Sequence, residues 1–189
     1  NIYSDDPALK SFEQEFMPCT PLFHITCWTD ASYAPRGENG RSELYYVVQL
    51  NGAPIEFNPI TLTGVADSAS TAEYCGASVG VKKTEGTRES ARFLGIAVHE
   101  VKQYIDATSA KQIAENPKKL GSTRHLGIRW HLVRYHLHAK DLVLCYSTTE
   151  DCLADLGTKR LARKILARFA IIFFNCLSKT WQKGPNSLG

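Results

Sequence analysis

The sequence predicts an α/β fold built on a single mixed β-sheet. Strand-like segments come first, at residues 22–29, 44–50 and 53–57, and they are rich in apolar, aromatic and β-branched side chains. The Asn51-Gly52 pair between the second and third segments is typical of a tight hairpin turn. Beyond Ser68, helical patterns alternate with shorter strand patterns. Antiparallel strands followed by such alternation predict one mixed sheet with helices on both faces.

The remaining elements follow in order along the chain. Ser68 or Ser70 can cap the first helix, which we expect to end at 84–86, where the sequence reads Thr-Glu-Gly. A helix over 88–98, a strand over 101–105 and a helix over 109–116 are expected next. Apolar spacing then predicts a helix over 124–138 and a strand over 142–146, which is the fifth strand of the sheet. Helices over 149–156 and 160–177 complete the expected elements.

The composition is that of an ordinary globular domain. The chain has 189 residues, of which 43% are hydrophobic and 22% are charged, which excludes a disordered tail, a collagen and a coiled coil. Its longest apolar stretch, residues 169–174, is far shorter than the about 20 residues that cross a membrane, so we expect no membrane span. Residue 1 is Asn and no signal peptide follows, which predicts a processed N-terminus or a fragment of a longer chain.

The six cysteines form no C-x-x-C pair and do not alternate with histidine at the spacing of zinc ligands. A chain of this size can build a core without disulfides. We therefore expect reduced, mostly buried thiols in an intracellular protein.

Positive charge is concentrated in two segments that contain no acidic residue, 116–140 and 156–189. Such segments favour a polyanionic partner, although a solvated helix surface shows the same pattern. Trp130 lies within the first segment, where it can pack in the core or stack on a sugar or base. Together with Trp130, the candidate nucleic-acid contacts are Lys118, Lys119, Arg124, Arg129 and Arg134.

Four carboxylates lie at informative places. Asp30 and Asp106 end the first and fourth predicted strands, Glu73 lies one turn into the first helix, and Asp155 lies in the helix after the fifth strand. In an open α/β sheet such positions converge on one edge. Converging acids repel one another and are usually compensated by divalent metal, so the pattern predicts two Mg²⁺ ions that hold a phosphodiester for hydrolysis. Because the chain has 19 acidic residues, chance placement is the competing interpretation.

Seven short blocks, in order, resemble the RNase H domain of copia-type LTR retrotransposons, the C-terminal part of their reverse transcriptase. They extend over about residues 22–165. The blocks are Thr29-Asp30-Ala31 with Tyr33-Ala34, Gly40-Arg41-Ser42, the hairpin 51–55, Ser70-Thr71-Ala72-Glu73-Tyr74, Ile105-Asp106 with 109–110 and 114–117, Arg124-His125 with 128–131 and 133–134, and Thr149-Glu150 with 153–155 and Thr158-Lys159.

This resemblance implies an RNase H-like fold and an endoribonuclease that cleaves the RNA strand of RNA–DNA hybrids. The family's four metal-binding carboxylates correspond to Asp30, Glu73, Asp106 and Asp155. The implied cofactor is Mg²⁺, as two ions for which Mn²⁺ can substitute, and the implied partners are an RNA–DNA hybrid and an upstream polymerase domain. The expected organisation is a leader or linker over 1–21, an RNase H-like domain over 22–158, and a basic helical extension over 159–189.

Two other hypotheses remain open. The first keeps the same fold as a domesticated, catalytically weak or inactive module, a nucleic-acid-binding or structural subunit of a larger ribonucleoprotein or protein assembly. It rests on departures from the family pattern at Ser32, Ala107, Gly127 and Thr148, whereas the presence of all four acids argues against it. The second is a related polynucleotidyl transferase such as an integrase, whose three-acid pattern fits four acids less well.

Overall fold

The computed structural model describes residues 22–33, 41–63, 66, 68–106, 108 and 127–174, and for 127–130 and 174 it describes only the backbone. The expected leader over 1–21, the helix over 109–116 and the last residues of the helix over 160–177 lie outside this part. The described elements are β1 (Phe23–Ser32), β2 (Glu43–Leu50), β3 (Ala53–Thr61), α1 (Ala69–Phe93), β4 (Val98–Ile105), α2 (Gly127–His138), β5 (Val143–Tyr146), α3 (Asp155–Thr158) and α4 (Arg163–Phe174).

The five strands form one sheet in the order β3-β2-β1-β4-β5. The first three are antiparallel neighbours, whereas β4 runs parallel to β1 and β5 runs parallel to β4. The β2–β3 turn is formed by Asn51 and Gly52, with φ of 48° and 83°. Both values are in the left-handed region that Asn and Gly adopt at low cost, which is why this pair makes the turn. The predicted mixed five-stranded sheet is confirmed.

Helices cover both faces of the sheet. On one face α1 and α2 enclose the larger core, and on the other α3 and α4 enclose a smaller cluster. The larger core includes Ile25, Cys27, Val48, Tyr74, Val81, Ile105 and Val133. The smaller cluster is built on Val47, Leu153 and Phe169, with Tyr45, Leu156, Ile165 and Phe173 packed against it. Burial on both faces keeps the central strands β1 and β2 out of water.

The first helix is longer than expected. It begins after Ser68, whose Oγ accepts a hydrogen bond from Thr71 N at 3.2 Å, and it continues through Gly86 to Phe93. The expected helix end at 84–86 is therefore wrong, and so is the separate helix over 88–98. A helical glycine costs about 1 kcal/mol relative to alanine. Residues packed on the sheet before Gly86 and the buried Ala91 after it offset that cost.

Two strands also differ from the expected bounds. Strand β3 continues through Asn58-Pro59 to Thr61, where the sequence suggested an end. It is an edge strand, so Pro59 can pair with Tyr45 while its missing N–H leaves no neighbour unsatisfied. Strand β4 starts at Val98 rather than residue 101. The helix expected over 149–156 is mostly turns, with helical structure from Asp155 onward.

Among the described residues, no helix is long and apolar enough to span a lipid bilayer. Cys27, Cys75, Cys145 and Cys152 are free thiols, and all but Cys145 are buried. Within the described part of the chain this matches the expected reduced state.

Candidate metal centre

Two of the predicted acids come from neighbouring parallel strands. Asp30 lies near the end of β1 and is 1% exposed, and Asp106 directly follows the last residue of β4. In the parallel β1–β4 ladder, Thr29 is paired with Ile105, so the residue after each lies at the same edge of the sheet. The topology alone therefore brings Asp30 and Asp106 together.

Asp155 approaches the same edge from α3. This short helix packs on β2, and its Gly157 has no room for a side chain, because a Cβ there would lie 2.0 Å from Tyr45 Cδ2. The close contact places the first residue of α3, Asp155, against the sheet, where it is 1% exposed. One ligand oxygen from each of Asp30, Asp106 and Asp155 lies within 4.8 Å of the other two.

Glu73 reaches the same region from α1. Ala31 N, next to Asp30, donates a hydrogen bond to Glu73 Oε1 at 3.3 Å. Burial and the charges of Asp30 and Asp106 raise the pKa of Glu73 to about 8, although the Ala31 bond and Lys159 act in the other direction. Glu73 is thus beside the aspartate trio, which we call the carboxylate cluster: Asp30, Asp106 and Asp155.

The carboxylate cluster has its own counter-charge. Lys159 Nζ donates to Asp155 Oδ1 at 2.9 Å and to Asp30 Oδ1 and Asp106 Oδ2 at 3.2 Å each. Thr158 Oγ1 donates a short hydrogen bond to Asp30 Oδ2. Burial raises the pKa of Asp155 to about 6, although the Lys159 hydrogen bond lowers it and the Asp30 charge raises it further. For Lys159, burial lowers the pKa, but the bond to Asp155 and the charges of Asp30 and Asp106 outweigh burial and raise it well above the usual range.

The donor set fits a hard divalent cation. All the candidate ligands are carboxylate oxygens, which Mg²⁺ and Mn²⁺ prefer. Glu73 Oε2 and Asp155 Oδ2 are buried and have no hydrogen-bond partner among the described residues. A buried carboxylate oxygen without a partner is costly, and a bound cation would satisfy it.

The expected nucleic-acid contacts are only partly within the described residues. Lys118, Lys119 and Arg124 lie outside them, and Arg129 and Trp130 belong to α2 but have no described side chains. Arg134 is also on α2, where its Nη2 is 3.3 Å from His138 Nε2. It lines an open depression of about 600 Å³ together with His131, Tyr135, His138 and Ala139. All six contacts stay predictions.

Thr158 and Lys159 contact the carboxylate cluster although the sequence patterns did not assign them to it. The sequence did contain a sign of this contact, because both residues belong to the last family-like block, three and four positions after Asp155. A basic residue four positions after an acid suggests such a pair, and the ammonium of Lys159, just past the end of α3, does reach Asp155.

Comparison with known proteins identifies relatives in sequence and in fold. No protein-family model matches the chain. It is 27% identical over 136 residues to the retrovirus-related Pol polyprotein from transposon TNT 1-94 of Nicotiana tabacum, covering 72% of this chain and 10% of that protein. The corresponding protein from transposon RE2 of Arabidopsis thaliana is 26% identical over 147 residues, covering 77% and 10%. The chain thus spans about a tenth of the length of these curated relatives.

Among solved structures, LC11-RNase H1, isolated from compost, superposes with a TM-score of 0.50 at 14% identity, covering 84% of this chain and 97% of that one. A second structure of LC11-RNase H1 contains an RNA/DNA hybrid. The mixed sheet order and helices on both faces match this fold. The chain therefore has the RNase H fold and is related in sequence to a segment of the Pol polyproteins of copia-type retrotransposons.

Proposed function

We propose that the chain is a divalent-metal-dependent ribonuclease H that hydrolyses the RNA strand of RNA–DNA hybrids. The observation that carries this proposal is the convergence of Asp30, Asp106 and Asp155 at one sheet edge, within 4.8 Å of one another. Glu73 adds a fourth carboxylate through its bond to Ala31. The RNase H fold and the similarity to Pol polyproteins of transposons support a ribonuclease H function.

In this proposal, Asp30, Glu73, Asp106 and Asp155 hold two Mg²⁺ ions, for which Mn²⁺ can substitute. Ions held by these four carboxylates would supply a water of lowered pKa and positive charge beside the scissile phosphate. The protein's own contribution is to fix the ligand geometry. Strands β1 and β4 hold two aspartates rigidly, and the Thr158 hydroxyl orients Asp30 by donating to its second oxygen. The basic segment 116–140 contacts the hybrid's phosphates. The longer protein to which the chain belongs includes a polymerase domain.

Cleavage of a labelled RNA–DNA hybrid tests the proposal. The wild-type chain should cut only the RNA strand, with MgCl₂ or MnCl₂ and not with EDTA. Asp106→Asn removes one ligand charge and keeps the shape of the side chain, which is 14% exposed, against 1% for Asp30 and Asp155. We expect it to lower the cleavage rate by more than about 100-fold. Mutation of residues that merely support a metal ligand already lowers activity or metal affinity by about 10- to 100-fold, and loss of a ligand should cost more.

Asp151→Asn is the matched control, because Asp151 lies four residues from Asp155 but is 49% exposed and paired with Arg168. It should cut at close to the wild-type rate. Cleavage that persists in Asp106→Asn would place the active site elsewhere.

A second candidate function is a nucleic-acid-binding or structural module without catalysis. Lys159 favours it, because its ammonium already contacts all three aspartates and offsets part of their negative charge. Folded protein that binds the hybrid but does not cut it with either metal would favour this candidate over the ribonuclease.

A further inference from the structure

Lys159 lies at the point where the carboxylate cluster converges. Its ammonium has three N–H donors, and the three aspartates accept one bond each, at 2.9 to 3.2 Å. These bonds tie together β1, the residue after β4, and α3. A single side chain is therefore shared by the three acids and offsets part of their negative charge.

A cation shared by the three aspartates would lie close to where the ammonium lies, within 3.2 Å of one oxygen of each. A divalent ion such as Mg²⁺ binds carboxylate oxygens at about 2.1 Å and admits no ammonium to the same lone pairs. The ammonium and a divalent cation therefore compete for the space between the three aspartates and for their negative charge.

Lys159 is also the partner that can move. Its side chain is 37% exposed, whereas those of Asp30 and Asp155 are 1% exposed. It follows the last residue of α3, in extended backbone with φ of −129°. A flexible four-carbon side chain at this position can turn toward solvent without unfolding either strand.

We propose that Lys159 is a built-in counter-ion that competes with divalent cations. It holds the carboxylate cluster together in the metal-free protein, and a cation binds by displacing it. Lys159 thereby sets the concentration of divalent metal at which the centre fills. This inference rests on the proposed metal centre.

The test measures Mn²⁺ binding to the whole chain after chelator treatment, by titration calorimetry and by electron paramagnetic resonance of free Mn²⁺. Lys159→Met keeps the side-chain length and removes the charge. We expect it to bind Mn²⁺ about tenfold more tightly, the change that loss of about 1.4 kcal/mol of competition produces. Lys102→Met is the control, because Lys102 pairs with Glu100 at 2.8 Å outside the cluster. It should bind Mn²⁺ like the wild type.

Thermal unfolding supplies a second readout. In EDTA, Lys159→Met should unfold at a lower temperature than Lys102→Met, because three buried or half-buried acids lose their shared cation. Added MnCl₂ should then raise its unfolding temperature more than it raises that of the wild type.

Each outcome decides one of the two proposals. Equal or weaker Mn²⁺ binding by Lys159→Met, with binding lost in Asp106→Asn, would overturn the counter-ion role and leave the metal centre standing. Binding by Lys159→Met alone would support competition strongly. If neither wild type nor Lys159→Met binds Mn²⁺, the metal centre itself is wrong and the inference falls with it.

Discussion

Glu73 combines burial with two neighbouring negative charges, and both favour its neutral form. Because its pKa is raised in the folded state, its contribution to stability is fully present below its ordinary pKa of about 4.5 and is lost as the pH rises through about 8. The metal-free protein is thus held together better when Glu73 is protonated.

This predicts a pH-dependent effect of Glu73→Gln, which mimics the neutral acid. In EDTA, the free energy of unfolding of the wild type minus that of Glu73→Gln should fall by about 1–3 kcal/mol between pH 5 and pH 9. Urea denaturation at several pH values measures it. Glu89→Gln, at an exposed position on the same helix, is the control. A difference that stays constant with pH would show that Glu73 ionises freely.

The two buried thiols of Cys27 and Cys152 are not activated as nucleophiles. Burial raises the pKa of Cys27 and of Cys152 well above the usual range, with nearby carboxylates adding to the effect. A thiol that stays protonated is a poor nucleophile. Cys27 and Cys152 are therefore poor candidates for a nucleophile.

At the scale of elements, α1 approaches the sheet closely at one glycine and is open to solvent at another. A Cβ on Gly80 would lie 2.3 Å from Gln103 Nε2 and 2.9 Å from Thr29 Cγ2. Gln103 cannot simply move aside, because it is fully buried and its Nε2 donates to Ala77 O at 2.9 Å. At Gly86, a Cβ would meet nothing within 4 Å.

The two glycines therefore predict opposite effects in one helix. Gly80→Ala should destabilise the protein by about 1–3 kcal/mol, the usual cost of overpacking a core. Gly86→Ala should stabilise it by about 1 kcal/mol, since alanine is the better helix former. Urea denaturation of both variants checks this, and equal effects of the same sign would contradict the packing described for α1.

The basic helix α4 binds the sheet rather than facing solvent on all sides. Phe169 is fully buried in the smaller cluster, and Phe173 contacts Phe57 on β3 with ring centroids 4.7 Å apart. Arg168 pairs with Asp151. Arg168 and Lys159 both belong to the second basic segment, 156–189, and both form ion pairs with acids of the same chain. That leaves 116–140 as the stronger candidate for phosphate contact.

At the scale of the whole molecule, the first basic segment, 116–140, lies between Asp106 and Asp155 in the sequence and contains no residue of the carboxylate cluster. We expect the cluster to attract metal and the segment 116–140 to attract the phosphates of a hybrid. Binding through phosphates releases counter-ions, so affinity should fall steeply as salt rises.

We predict that Arg129→Gln weakens hybrid binding and reduces the slope of log affinity against log salt concentration by about 1. Fluorescence anisotropy at several KCl concentrations measures the slope, with Asp106→Asn as background to prevent cleavage. Lys82→Gln, at an exposed position on α1, is the control and should keep the parent slope. An unchanged slope in Arg129→Gln would remove this residue from the interface.

Much of this architecture is readable from the sequence because its signals are local. The five strands, the Asn51-Gly52 turn and the acids at strand ends follow from periodicity and from residue preferences within a few positions. The family-like blocks identified the fold for the same reason, since each is a short run with its own spacing.

Other features depend on contacts between distant residues. Helix α1 continues through Gly86 because packing on the sheet outweighs a local preference, and β3 keeps Pro59 because it lies at an edge. Lys159 lies 129 positions from Asp30, and no local pattern reports that its ammonium bridges three acids. The sequence by itself determined which carboxylates are candidates. Only the tertiary structure decided that three of them pair with one ammonium, because Coulomb energy and burial depend on distances in space.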